Sequence, residues 1–279
     1  MNVLKIAGIT FMEARWRKIA WAIILLGLAF LLVFSTGFYF MWREVERFSD
    51  IASVRALEPV NFFLLAGLYG TAFLGVALAL LISVDTIAGE IASGTIQTLV
   101  TKPLRRWEVV AGKWLGMAVM LSLFIVLMSG ALFAIVSTIT HYTPRNPIPA
   151  VLLIVLEGLI VLTLSILGGT RLPALANGVV VFMLYGLAFI AGWIEQFGAM
   201  LRNDAAVNTG IVVSLLMPSE AMWKRAAYLL QPPMLSNLGF DATPFGAAST
   251  PSLLMVGYGV LYVIVGLLVA MRLFSTRDL

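Results

Sequence analysis

Few side chains in this sequence have the chemistry to catalyse or to bind, and they lie far apart. Glu157 stands alone near the middle of an apolar run, 148–170. A charged carboxylate there costs about 2.5–3.5 kcal/mol on insertion scales, so the residue is either a neutral, hydrogen-bonded acid or a functional group. The absence of a second acid or a base in the other apolar runs favours the neutral acid. There is no cysteine and one histidine, which excludes disulfides, thiolate nucleophiles and clustered thiolate or imidazole metal sites. His141, beside Tyr142 and Pro144, reads as an interfacial residue rather than a ligand. Of the 13 methionines only Met117 and Met120 stand close on one helical face, a pattern that core gap-fillers produce more readily than a soft-metal path. Gly89 and Gly94 have the spacing of a phosphate loop, but Thr95 and Ile96 occupy the places of its lysine and hydroxyl residue. No cofactor, metal or nucleic acid is therefore expected on this chain.

The elements that must position these residues are membrane helices. Of 279 residues 61% are hydrophobic and 11% charged, with mean hydropathy +1.01, far from a soluble mixture. Six runs approach the roughly 20 residues needed to cross about 30 Å of hydrocarbon: 19–41, 59–84, 114–140, 148–170, 172–194 and 252–271. An even number places both termini on one side. Eleven of the 18 Lys and Arg residues fall on that side against seven on the other, which makes the terminal side cytoplasmic. Trp21, Trp42, Trp114 and Trp193 stand at span ends, as an aromatic belt requires.

Three connections carry further information. Residues 1–18 are long enough for an interfacial helix of about four turns, although their charges do not keep to one face. The segment 85–113 mixes small residues, acids and a basic cluster, and Pro103 suits the first turn of a helix that continues through Arg106, Trp107 and Lys113 into the third span. Composition alone leaves this segment open between a solvated turn and a docking element. In the outer connection, 195–251, residues 208–218 are apolar but too short to span, and a helix follows from Ser219, its expected cap. Glu220 and Lys224 form an i,i+4 pair on its polar face, while Met222 and Trp223 lie on the other, so it is expected on the outer membrane surface or over the bundle mouth. The small-residue pairs Ala66/Gly70, Thr71/Gly75 and Gly112/Gly116 permit close helix approach.

The string D-x-x-x-G-E-x-x-S-G-T-x-x-x-L-x-x-K-P-x-x-R-W-E-x-x-x-G-K, from Asp85 through Lys113, resembles the cytoplasmic signature of permease subunits of the type-2 ABC exporter family. The six spans, basic N-terminal segment and long outer connection resemble that family in outline. The resemblance implies an all-α membrane protein with one transmembrane domain over 1–279, in the inner membrane of a bacterial cell. It implies a second permease copy or paralogue and two copies of a separate ATPase that binds ATP and Mg. A coupling helix would meet that ATPase through Asp85, Gly89, Glu90, Ser93, Gly94 and Thr95. Residues 1–18 would form an elbow helix, and Glu220, Trp223 and Lys224 part of an outer gate. The chain is thus expected to be the non-enzymatic membrane subunit of an ATP-driven exporter. The alternatives are an ion-coupled carrier using Glu157 and a non-transporting anchor for an ATPase.

Overall fold

The computed structural model describes residues 2–16, 18–48, 54–92, 105–232, 245 and 249–276. Among the described residues every regular element is helical: α1 (Asn2–Trp16), α2 (Lys18–Phe48), α3 (Val54–Ala92), α4 (Arg106–Thr140), α5 (Pro147–Gly169), α6 (Ala174–Met200), α7 (Asp204–Leu216), α8 (Ser219–Leu230) and α9 (Leu253–Ser275). Lipid offers backbone N–H and C=O groups no partner, so a long apolar run must satisfy them internally, and the helix does so.

Six segments are long and apolar enough to cross a membrane: Trp21–Arg47, Leu57–Gly89, Arg106–Thr140, Pro147–Gly169, Ala174–Met200 and Leu253–Ser275. These match the six runs read from sequence, but most extend beyond them. A charged residue ends an apolar run without ending the helix. The second and third segments, 33 and 35 residues long, measure about 50 Å and exceed the hydrocarbon thickness. One exception matters below: Glu195, expected just outside the fifth span, is inside α6 and buried.

The bundle is built around α3 and α5, each with 67% of its most apolar stretch buried, against 17% in α2 and α9. The peripheral helices are apolar all round because their outer faces meet lipid. Phe34 and Phe38 of α2 stack with ring centroids 5.7 Å apart, and Phe38 is closed edge-on by Phe63 of α3. Trp114 of α4 donates its indole N–H to Thr163 Oγ1 of α5 at 3.0 Å. At the start of α4 the backbone N–H of Arg105 donates to Glu108 Oε2 at 3.0 Å, the reach-back half of a capping box. His141 closes the same helix in the left-handed region (φ 53°), its N–H donating to Ser137 O at 3.0 Å. The lone histidine is exposed and ends a helix.

Of the N-terminal segment Asn2–Trp16 forms a helix, and it packs along the start of α4. The Gly112/Gly116 pair is the seat. A Cβ at 116 would stand 2.6 Å from the Ala7 carbonyl oxygen, and one at 112 would stand 2.6 Å from Ile6 Cβ. Backbone cannot yield as a side-chain tip can, so Gly116→Leu should lift α1 from α4 at a cost of about 1–3 kcal/mol. The chain has no cysteine, which makes the test simple. Ala7→Cys, 8% exposed in the native packing, should resist maleimide alone and label readily when combined with Gly116→Leu.

Candidate functional site: a buried polar cluster and the cytoplasmic helix ends

The segment after α6 folds back on the bundle. Asn203 Oδ1 accepts from the Ala205 and Ala206 N–H groups at 3.1 and 3.2 Å, and this cap starts α7. α7 lies against α6, which Gly210 permits: a Cβ there would stand 2.5 Å from Glu195 Cβ. At Met217 and Pro218 the chain bends by 115° into α8. Two of the last carbonyls of α7 are met from α9, where Tyr258 donates to Leu215 O at 2.6 Å and Tyr262 to Leu216 O at 2.9 Å.

α8 is the main departure from expectation. Its sequence reads as a surface amphipathic helix, yet Glu220, Met222, Trp223, Lys224 and Leu230 are all buried, and the helix packs on α5, α6, α9 and α3. Ser219 does not cap it. Pro218 is the cap residue, and Ser219 Oγ is buried without a hydrogen-bond partner. Nor is Lys224 spent on Glu220 one turn away. Its Nζ lies 2.8 Å from Glu195 Oε2 on α6, with both side chains less than 10% exposed. The contact is ionic rather than a well-directed hydrogen bond. Partners on another helix let the polar face of α8 turn inward, because a buried ion pair tolerates what an unpaired charge does not.

Around this pair sits a polar cluster contributed by four helices. Glu220 points at Gly192 of α6, where a Cβ would collide with its Cγ. The Tyr69 hydroxyl of α3 donates to Glu220 Oε1 at a long 3.5 Å, and the Trp223 ring meets Tyr69 edge-on with centroids 4.8 Å apart. Glu157 of α5 and Tyr185 of α6 are within electrostatic reach of Glu220. Glu157 is therefore not isolated, as its neighbours in sequence suggest; a second carboxylate arrives from outside the six runs. Oε2 of Glu157 and Oε2 of Glu220 both lack a hydrogen-bond partner. Three carboxylates and one ammonium thus form one buried, interacting cluster. Among the described residues no acid or histidine group is arranged to hold a metal ion. Met117 is core, and Met120 lines an apolar groove, so the two do not form a ligand pair.

The facing ends of α3 and α4 carry the described residues of the 85–113 segment. α3 does not stop at Val84 but continues as one helix to Ala92. Asp85, exposed, Gly89, half-buried, and Glu90 therefore ride on the projecting end of the second span rather than on a separate coupling helix. Ser93, Gly94, Thr95 and Pro103 lie outside the described residues. Arg106, Trp107 and Lys113 begin α4, which continues unbroken into the third span as expected. Trp107 is exposed, whereas Lys113 is buried and its Nζ donates to Thr86 O at 3.3 Å, tying α4 to α3 just above the projecting end.

The same helical frame is matched by a family model described as ABC-2 family transporter protein, which covers residues 4–279. The chain belongs to the ABC-2 transporter family. A comparison with individually curated proteins gives no match. The family match takes in α1, all six candidate spans, the bent α7–α8 pair and the connection between the second and third spans, so it describes the whole multi-pass membrane chain. An ABC-2 membrane subunit is a permease.

Proposed function

We propose that this ABC-2 chain is the membrane-spanning permease subunit of an ATP-driven exporter in a bacterial inner membrane, working with a second permease and two copies of a separate ATPase that binds ATP and Mg. The reading is supported by the connection between the second and third spans: two helices of 33 and 35 residues, longer than the hydrocarbon is thick, flank it, and Asp85, Gly89 and Glu90 ride on the end of the first. The contact to the ATPase is assigned to Asp85, Gly89, Glu90, Ser93, Gly94 and Thr95. Glu90 supplies a charge-assisted acceptor, and Gly94 allows a partner backbone to approach. With no phosphate loop in the chain, nucleotide binding falls to the partner. Glu220, Trp223 and Lys224 belong to the re-entrant pair and would move with an outer gate.

Orientation is testable separately. Reporters fused after Phe48, His141 and Asp204 should read extracytoplasmic, and those after Lys102, Arg171 and Leu279 cytoplasmic; a cytoplasmic signal at Asp204 would remove this topology.

The Glu157–Glu220 proximity favours a second reading, ion coupling through the buried carboxylates. Glu157→Gln separates the two. If Glu157 acts as a neutral hydrogen-bonding group, the amide keeps its size and bonding capacity, and transport persists with an unchanged pH profile. Loss of transport with normal assembly would show that the carboxyl group takes part in translocation.

A further inference from the structure

The polar cluster under α8 holds more acid than its one cation can balance. Lys224 Nζ is committed to Glu195 Oε2 at 2.8 Å. Glu157 and Glu220, 1% and 5% exposed, remain as two acids in one buried site, and the Oε2 of each has no hydrogen-bond partner. Two ionised carboxylates can only accept, so neither satisfies the other, whereas a protonated carboxyl supplies the missing donor. Like charges sharing a buried site do not both ionise.

Among the described residues, those facing α8 add no second cation. α5 faces it with Glu157 alone, α3 with the Tyr69 hydroxyl at 3.5 Å, and α6 with Glu195 and the buried Tyr185. On α9 the Tyr258 and Tyr262 hydroxyls are spent on carbonyls of α7, and Arg272 is in the last turn. The acid of α7, Asp204, is exposed in its first turn. Arg225 of α8 itself donates to Pro251 O at 3.0 Å and lies over the Tyr228 ring.

The two unpaired acids differ in their means of movement. Glu157 is fixed midway along the buried α5, but Glu220 stands in the first turn of α8, directly after the 115° bend and outside the six membrane-crossing segments. Turned out to water, its carboxylate would be favoured by the helix N-terminus and by Lys224 one turn on. Packed inward, burial raises its carboxyl to about 7; Lys224 and the Tyr69 hydroxyl pull it down, and Glu195 pushes it up. Two positions of α8 thus call for different protonation states of one side chain.

We propose that Glu220 is a proton-binding latch: protonated, it lets α8 pack over Glu157, and its ionisation drives α8 away from α5 about the bend at Met217 and Pro218. Glu157 stays a neutral acid throughout. The packed state binds the proton, so this packing is fully present at low pH and is lost as pH rises through the raised midpoint of Glu220. The latch depends on no ATPase and on neither reading of the transport cycle, and its test uses the purified chain alone.

The chain has no cysteine, so single cysteines can follow α8. In detergent the maleimide labelling rate of Ala227→Cys, 0% exposed, should be divided by that of Leu254→Cys, 85% exposed, which carries the reagent's own pH dependence. That ratio should rise about tenfold from about pH 6 to about pH 8, one unit either side of the Glu220 midpoint. Adding Glu220→Gln, neutral at every pH, should keep the ratio low at both, and adding Glu157→Gln should leave the rise intact. Infrared difference spectra over the same interval should show the carbonyl stretch of one protonated carboxyl disappearing in the native chain and in Glu157→Gln, with no such band in Glu220→Gln. Thermal midpoints would identify the folded variants. A flat ratio or a missing band in the native chain would overturn the proposal, whatever the variants do. So would a rise or a band that survives in folded Glu220→Gln, or one that vanishes in folded Glu157→Gln, which would give the exchanging proton to Glu157.

Discussion

Lys224→Met should destabilise the protein severely, lowering its thermal midpoint in detergent by on the order of 10 °C. Methionine keeps the length and packing of the lysine stem but withdraws the ammonium that lies 2.8 Å from Glu195. Glu195 is then a buried carboxylate whose cation is gone, and breaking one side of a buried pair typically costs about 3–5 kcal/mol. Glu220, which also lies within reach of Lys224, loses compensation at the same time. At about 2–4 °C per kcal/mol for a chain approaching this size, the shift is large enough to measure without ambiguity. The partner variant makes the claim specific. Glu195→Gln combined with Lys224→Met removes both members of the pair, and it should recover much of the loss because the acid in direct contact with the ammonium is gone and Glu220 is relieved of a neighbouring carboxylate. A single variant as stable as the native chain, or a double variant no better than the single, would show that the pair does not hold α8 against α6.

The sequence could not have shown this pair. Nothing local links Glu195 to Lys224: one follows an apolar run, and the other sits in a helix with the polar and apolar faces of a surface element. The same amphipathic pattern serves a helix lying on a membrane and one buried with its polar face against a partner charge. Only tertiary structure separates them. The same reason hides the company of Glu157, since Glu220 reaches it through the 115° bend at Met217 and Pro218. What was legible rested on local physics. The six spans follow from apolar length, α4 follows from a helix that charges do not interrupt, and the seat of α1 was visible as small residues four apart at Gly112 and Gly116.

The largest functional effect is expected from the cytoplasmic connection. Gly94→Trp with Glu90→Lys should leave the chain inserted and folded, because both residues lie beyond the apolar runs. The indole would hold an approaching protein surface away, and reversing a charge in an interface typically costs several kcal/mol. Each 1.4 kcal/mol is about tenfold, so affinity for the ATPase should fall by at least about a hundredfold. Arg145→Glu, exposed in the connection between α4 and α5, serves as the control.

The most direct test of the permease assignment is therefore recovery of an ATP-binding-cassette subunit with the affinity-purified chain after co-expression. The native chain and Arg145→Glu should each bring down the ATPase in equal measure, and the Gly94→Trp, Glu90→Lys chain should arrive alone at normal yield. Equal ATPase recovery by all three would contradict the account, because the stretch from Asp85 to Thr95 would then make no docking contact and the ATPase would bind elsewhere.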